Sequence, residues 1–435
     1  MRSLKSSILM LSLAVSASLL IAFTASFEQA LAKTNKKATH AKKDYPFILL
    51  IYCSGGWDPT MVFDSKIGEA DFAQETGAVL VEGPGNLKYV DHANRPSVKN
   101  FFNTYGEKAV IINGVYTQAM HHGLGARSML GSTAPNYSNR AFDWLSYYVS
   151  FVAPGMPLPQ VTINAPFFPG PFGRYAVKLP TVVSNELVSD IPNANALSAS
   201  ANSAVHGFLQ KQYGNLLESH LGGEGVDNEK LLNLAFSFSR YSRAKEILTE
   251  INAALPTGGG DSEFLRNAKV AVELFTRESA QTATIQYGNE KAWDTHSDHY
   301  SRQAVLFEEL FSDLNKLLEY ATQKELSEQM IVLVLSDVGR SSALNDQSGK
   351  DHWPYTSVLA WGSMFRGSET IGKTDNYFTG VPMNIATGSY ESDESVKKVI
   401  TMKNVMTAIY VKFKIPYSQI LPDVIALSPI LRSGT

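Results

Sequence analysis

Ile331-Val332-Leu333-Val334-Leu335-Ser336-Asp337-Val338-Gly339-Arg340 is the stretch whose reading decides the fold. Five consecutive aliphatic residues closed by Ser-Asp-x-Gly describe a strand buried on both faces, as in the middle of a parallel sheet, that runs out into a loop. Ligands of open α/β sheets gather at the carboxyl ends of strands, so Asp337 stands where chemistry is expected. The competing use of such a carboxylate is to cap a turn or the next helix.

Three other places repeat the arrangement. Phe47 to Tyr52 is an apolar run followed by Cys53-Ser54-Gly55-Gly56-Trp57-Asp58, Trp293-Asp294-Thr295-His296 precedes a long helical pattern, and Asp351-His352 precedes the apolar run Ser357 to Trp361. Carboxylates and imidazoles converging from several strand ends make a metal site or a general acid/base cluster. Spacing alone does not show that they converge.

Around these segments strands and helices alternate from Tyr45 onward, the pattern of an α/β architecture. Ala109 to Asn113 reads as a second buried strand after a helix around Val98 to Tyr105, and Tyr300 to Ala321 reads as an amphipathic helix feeding the central strand. Pro154 to Pro180, dense in Pro, Gly and Phe, and Asn193 to Ala204, rich in Ala, Ser and Asn, read as long loops. Lys230 to Leu255 and Ser262 to Thr282 carry helix-period apolar positions. The stretch of about 154–279 is expected to be an elaboration over one end of the sheet, since no clean linker sets it apart as a domain.

Arg2 and Lys5 precede an almost uncharged apolar stretch, Ile8 to Phe23, which leads to Ala30-Leu31-Ala32. This is the composition of a secretory signal peptide over residues 1–32, with an uncleaved anchor as the alternative. A basic tail, residues 33–44, then precedes the domain at 45–435. No later stretch is long and apolar enough to span a bilayer, so a periplasmic or secreted chain is expected. The single cysteine, Cys53, rules out an intramolecular disulfide, and its place at a strand end reads as packing. A net charge of −3 with 18% charged residues gives no general affinity for nucleic acid.

Taken in order, Leu50 to Asp58, Trp293-Asp294-Thr295-His296, Leu335 to Arg340 and Lys350-Asp351-His352-Trp353 resemble the motifs of the domain-of-unknown-function 1501 family, an exported branch of the alkaline phosphatase-like superfamily. Its members read roughly L-R-G-G-x-D, S-H before a helix, W-D-T-H, S-E-F-G-R and D-H, and the likeness runs from about Tyr45 to Gly367. The resemblance implies a three-layer α/β/α fold with a mostly parallel central sheet and one or two divalent metals at the strand ends. Asp58, Asp294, His296, Asp337 and His352 carry over as metal ligands, with His122 as a sixth candidate. The mixed oxygen and nitrogen set suits Zn or Mn better than Ca or Mg.

Two departures from the pattern bear on chemistry. Val338 follows Asp337 where metal-dependent relatives often have His, and His121-His122 aligns with the Ser-His that carries the hydroxyl nucleophile of hydrolytic relatives. His121 and His122 are therefore the candidate catalytic positions, with Thr117 and Ser128 as nearby hydroxyls. Two functions stand on this reading. One is an exported metal-dependent hydrolase of phosphate or sulfate esters, with Arg127 or Arg340 as possible binders of a small anionic substrate. The other is an exported, non-catalytic binding or assembly protein on a degenerate hydrolase fold.

Overall fold

The computed structural model describes residues 45–132, 142–179, 246–255 and 260–432. The expected signal peptide, the basic tail, the Ser/Asn-rich stretch at 193–204 and the first part of the helical pattern, residues 230–245, lie outside the described residues.

An eight-stranded sheet organises the chain. Its strands are β1 (Phe47–Cys53), β2 (Ala109–Tyr116), β3 (Gln160–Ile163), β4 (Ala176–Leu179), β5 (Thr282–Tyr287), β6 (Met330–Ser336), β7 (Tyr355–Gly362) and β8 (Glu369–Ile371), in the spatial order β8-β2-β7-β6-β1-β5-β3-β4. All pairings are parallel except those of β7, which runs antiparallel to both β2 and β6. The sheet is thus mostly parallel, and its two central strands, β1 and β6, are buried along their whole length, as continuous aliphatic runs require.

Side chains alternate across these strands with period two. Leu49, Ile51, Val332 and Val334 face one core, shared with α1 (Pro96–Tyr105), α4 (Glu263–Thr276) and α5 (His299–Gln323). Ile48, Leu50, Ile331, Leu333 and Leu335 face the other, shared with α2 (His122–Leu130), α3 (Trp144–Val152) and α6 (Met402–Lys412). Two helical layers on one sheet are the expected α/β/α sandwich.

The elements expected from periodicity stand within a few residues of their places, α5 at His299–Gln323 and β6 at Met330–Ser336. Two differences have clear causes. The Pro-rich stretch expected as loop holds β3 and β4, because Gln160-Val161-Thr162-Ile163 is a short β-branched run that extends the sheet edge. The other is β5, which no apolar pattern announces: Thr282-Ala283-Thr284-Ile285-Gln286-Tyr287 looks polar, yet it lies between β1 and β3 with every residue buried.

Asp143 caps α3 through a hydrogen bond from the Leu145 amide (2.8 Å), while its second oxygen accepts from Gln160 Nε2 (2.6 Å), tying the helix to β3. Burial pushes this carboxyl up to about 6, against the lowering effect of those hydrogen bonds. A raised folded pKa means that its contribution to stability is complete below about pH 4 and is lost as pH rises through 6, by roughly 2–3 kcal/mol. Asp143→Asn should flatten that decline. Thermal melts between pH 4 and pH 8 check it, and parallel curves for both proteins would show that another group sets the slope.

Candidate metal centre

The carboxyl ends of β1, β5 and β6 meet beneath the N-terminus of α2, and the loops leaving them carry the acids. Gly125 makes the approach of α2 possible, since a Cβ there would lie 2.3 Å from the Asp337 carbonyl oxygen. Val338, where an imidazole is expected in relatives, is fully buried and wedged against Gly56 and Gly125.

Asp294 is the hub. Its Oδ1 accepts from Arg340 Nη2 (2.7 Å) and faces His352 Nε2 (3.1 Å) and His296 Nε2 (3.0 Å), and its Oδ2 faces His122 Nε2 at 3.3 Å. Each imidazole is held from behind at its other nitrogen. His122 Nδ1 meets Asp337 Oδ2 at 2.9 Å, His352 Nδ1 donates to the Met120 carbonyl at 2.9 Å, and His296 Nδ1 meets Asp351 Oδ1 at 3.1 Å. A carbonyl or carboxylate only accepts, so each Nδ1 donates outward and each Nε2 is turned inward, those of His296 and His352 lying 3.1 Å apart.

Three Nε2 atoms and a carboxylate facing one another form a donor set that a divalent cation would hold together. His122 Nε2 is buried, with Asp294 Oδ2 at 3.3 Å but no hydrogen bond of good geometry. His122, Asp294 and His352 each offer a ligand atom within 4.8 Å of the others. His352 Nε2 lies 3.1 Å from Oδ1 of Asp294 and His122 Nε2 3.3 Å from its Oδ2, so each carboxylate oxygen faces one ring at a separation that ligands of one ion can have. The residues fit a divalent transition metal of the Zn type, with backing acceptors of the kind that orient histidine ligands.

Burial would raise the Asp294 carboxyl, but the hydrogen bond from Arg340 and the imidazoles hold it well below the usual carboxylate range. Burial lowers His122, and the Asp337 and Asp294 carboxylates more than reverse that, leaving its pKa raised.

The other expected ligands are placed differently. Asp337 lies behind His122: its Oδ1 accepts from the Gly55 amide (3.1 Å), the Val338 amide (3.1 Å) and Ser336 Oγ (3.2 Å), while Oδ2 takes His122. Its carboxylate lies on the far side of the His122 ring from Asp294. Asp58 belongs to a separate, fully buried cluster, in which its Oδ2 accepts from Lys350 Nζ (2.7 Å) and His299 Nε2 (2.8 Å), and its Oδ1 from the Thr60 amide and hydroxyl. Burial alone would raise this carboxyl, yet Lys350 and His299 hold it far below its ordinary value. Burial in turn lowers the His299 imidazole, the nearby Asp58 notwithstanding.

His121 is exposed and caps α2, accepting the Gly123 amide at Nδ1 (3.2 Å). Thr117 Oγ1 bonds the Ala119 and Pro354 carbonyls, and Ser128 Oγ reaches Gln118. Arg340 is fully buried and donates to the carbonyls of Gly55, Gly56, Trp293 and Lys350 as well as to Asp294. The antiparallel pairing of Gly339–Arg340 with His352–Trp353 sets His352 opposite Arg340, which explains how both reach Asp294. Arg127 stacks over Phe168, 4.5 Å from the ring centre. Sequence reasoning passed over His299 and Lys350 as partners of Asp58 and Asp351 as the support of His296. Only the adjacency of Lys350 and Asp351 to His352 hinted at them.

Residues 259–422 match the family model described as "Protein of unknown function (DUF1501)". The DUF1501 stretch contains Asp294, His296, Asp337 and His352, whereas Asp58, His121 and His122 precede it. No curated protein matches the chain. Among solved structures, it is similar to the putative sulfatase yidJ of Bacteroides fragilis (8% identity, 91% of this chain and 80% of that one, TM-score 0.41). It is also similar to the lipoteichoic acid synthase LtaP of Listeria monocytogenes (6%, 88% and 75%, TM-score 0.40). A third is the C-terminal periplasmic domain of the phosphoethanolamine transferase EptC of Campylobacter jejuni (9%, 88% and 96%, TM-score 0.36).

Proposed function

We propose that the protein is an exported, divalent-metal-dependent hydrolase of phosphate or sulfate esters. The observation that carries this reading is the convergence of His122, His296 and His352 on Asp294, each ring braced from behind. His122, Asp294 and His352 would hold the ion, with His296, 45% exposed at its side chain, on the solvent side. When bound, a divalent cation supplies Lewis-acid polarisation of the ester and acidifies a water.

The chain's own part is positional. Asp337 fixes the His122 ring, the Met120 carbonyl fixes His352, and Arg340 locks Asp294 to the loop after β1. The hydroxyls of Thr117 and Ser128 are engaged in local bonds and His121 in a helix cap, so in this reading the attack on the ester falls to water. Turnover of nitrophenyl phosphate or nitrophenyl sulfate by the mature protein, stimulated by Zn, Mn, Mg or Ca and absent in Asp294→Ala, is the expected result. Equal rates in wild type and variant would sink the reading.

The second reading, a binding or assembly protein on the same fold, is favoured by one observation: Asp58 is already neutralised by Lys350 and takes no part in the centre. Co-purification of a stable partner with no ester turnover would support it. Among the described residues no helix is long and apolar enough to cross a membrane. Export belongs to the proposal, and the mature chain is expected to begin at Lys33, after Ala30-Leu31-Ala32. Mass spectrometry of the exported protein checks this, and a terminus at Met1 would mean an anchor.

A further inference from the structure

We propose that Gln303 is a positioning residue for the metal centre, a buried carboxamide that grips the main chain on both sides of Asp294 and so sets where that carboxylate stands. The inference rests on the centre described above and concerns what holds it in shape from behind.

Gln303 and His299 lie one turn apart on the same face at the start of α5, and both are fully buried. Gln303 Oε1 accepts from the Asp58 amide (2.9 Å), while its Nε2 donates to the carbonyls of Gly56 and Trp293 and to Thr295 Oγ1, each at 3.1 Å. A main-chain N–H only donates and a carbonyl only accepts, so the carboxamide has one orientation, with its two N–H groups shared among three oxygens. Trp293 and Thr295 are the chain neighbours of Asp294. One side chain therefore holds the residue before the hub and the residue after it.

The grip is closed from two directions. Arg340 donates to the same Gly56 and Trp293 carbonyls, at 2.8 and 3.0 Å, which is possible because a carbonyl oxygen has two lone pairs. On the other side Thr295 Oγ1 meets His299 Nδ1 at 2.8 Å, and His299 Nε2 donates to Asp58 Oδ2. Lys350 joins the same ring, its ammonium donating to Asp58 Oδ2 and its amide to the Thr295 carbonyl (3.2 Å). The loop after β1, the loop before α5 and the segment leading to His352 are thus tied to two residues of one helix. This gives Asp58, which lies outside the centre, a part in it: its carboxylate and its amide close the ring of hydrogen bonds behind Asp294.

The pattern needs a carboxamide. Glutamate has no N–H for the three oxygens and would set a second negative charge beside Asp58, and methionine fills the length with neither donor nor strong acceptor. Ligand distances at a metal tolerate about 0.2 Å, so a loop released by that much gives up affinity before it gives up its fold.

The test is zinc affinity of the mature protein, measured by competition with a chromogenic chelator at a temperature where every variant is folded. Gln303→Met should weaken binding on the order of tenfold. Leu317→Ala, which opens the apolar core under the same helix and leaves these hydrogen bonds in place, should lower the melting temperature with zinc affinity unchanged. Thr295→Val should weaken binding as Gln303→Met does while Thr295→Ser retains it, and this pair decides the matter if Gln303→Met does not fold. Undiminished affinity in Gln303→Met, or an equal loss in Leu317→Ala, overturns the proposal. A wild type that binds zinc and hydrolyses no ester would sink the hydrolase and leave this inference standing, whereas a wild type that binds no zinc overturns both.

Discussion

Asp294→Ala is expected to leave the purified protein without stoichiometric divalent metal and without ester turnover. Among the described residues Asp294 is the one carboxylate that faces all three inward-turned imidazoles, so its loss removes the negative charge and the shared geometry at once. In the wild type, metal at about a hundred times its dissociation constant adds roughly 2.7 kcal/mol to stability. Chelation should therefore lower the melting temperature by about 3 °C for a domain of this size, and the variant should show no such response. Asp337→Asn makes the informative contrast. Because Asp337 braces His122 from behind, its replacement should weaken metal binding about 10–100-fold without abolishing it. Metal content after dialysis and melting with and without chelator check both. Should Asp337→Asn lose the ion as completely as Asp294→Ala, Asp337 is a direct ligand.

Lys350→Met should be the most destabilising single change in this region. Asp58, Lys350 and His299 have no exposure, and removing the ammonium leaves a carboxylate buried beside an imidazole whose protonated form burial disfavours. Breaking a buried pair from one side costs about 3–5 kcal/mol, on the order of 5 °C of melting temperature here. The double variant Asp58→Asn/Lys350→Met should recover much of that loss, because the uncompensated charge is gone. A loss in the single variant below about 1 kcal/mol by denaturant titration would show that Asp58 takes up a proton without strain and that the pair matters little.

The two sets of acids illustrate what could and could not be read from the chain. The strand ends were legible because the short continuous apolar runs at Phe47 to Tyr52 and Ile331 to Leu335, each closed by Ser and Gly, match strands buried on both faces. The acids that follow those two runs, Asp58 and Asp337, are confined to one edge of a parallel sheet, whereas Asp294 was marked only by its motif ahead of a long helical pattern. β5 stayed hidden, since its threonines and glutamine carry no apolar pattern and are buried only because β1 and β3 close over them. The match over residues 259–422 covers the Trp-Asp-Thr-His, Ser-Asp-Val-Gly-Arg and Asp-His motifs and leaves the first strand and His121-His122 outside.

The sequence by itself determined the sheet, the edge at which chemistry is possible and the supply of carboxylates and imidazoles there. Tertiary structure alone decided which of them face one another. Asp58 and Lys350 are 292 residues apart, and only the meeting of the loops after β1 and β6 makes the lysine its counter-ion. Asp337 stands behind His122 instead of beside Asp294 because Gly125 lets α2 sink onto the end of β6, bringing an imidazole between the two acids. Hydrophobic patterning records which face of an element is buried. The direction of a polar side chain on a loop is set by donors and acceptors that arrive from distant segments, and no local pattern encodes it.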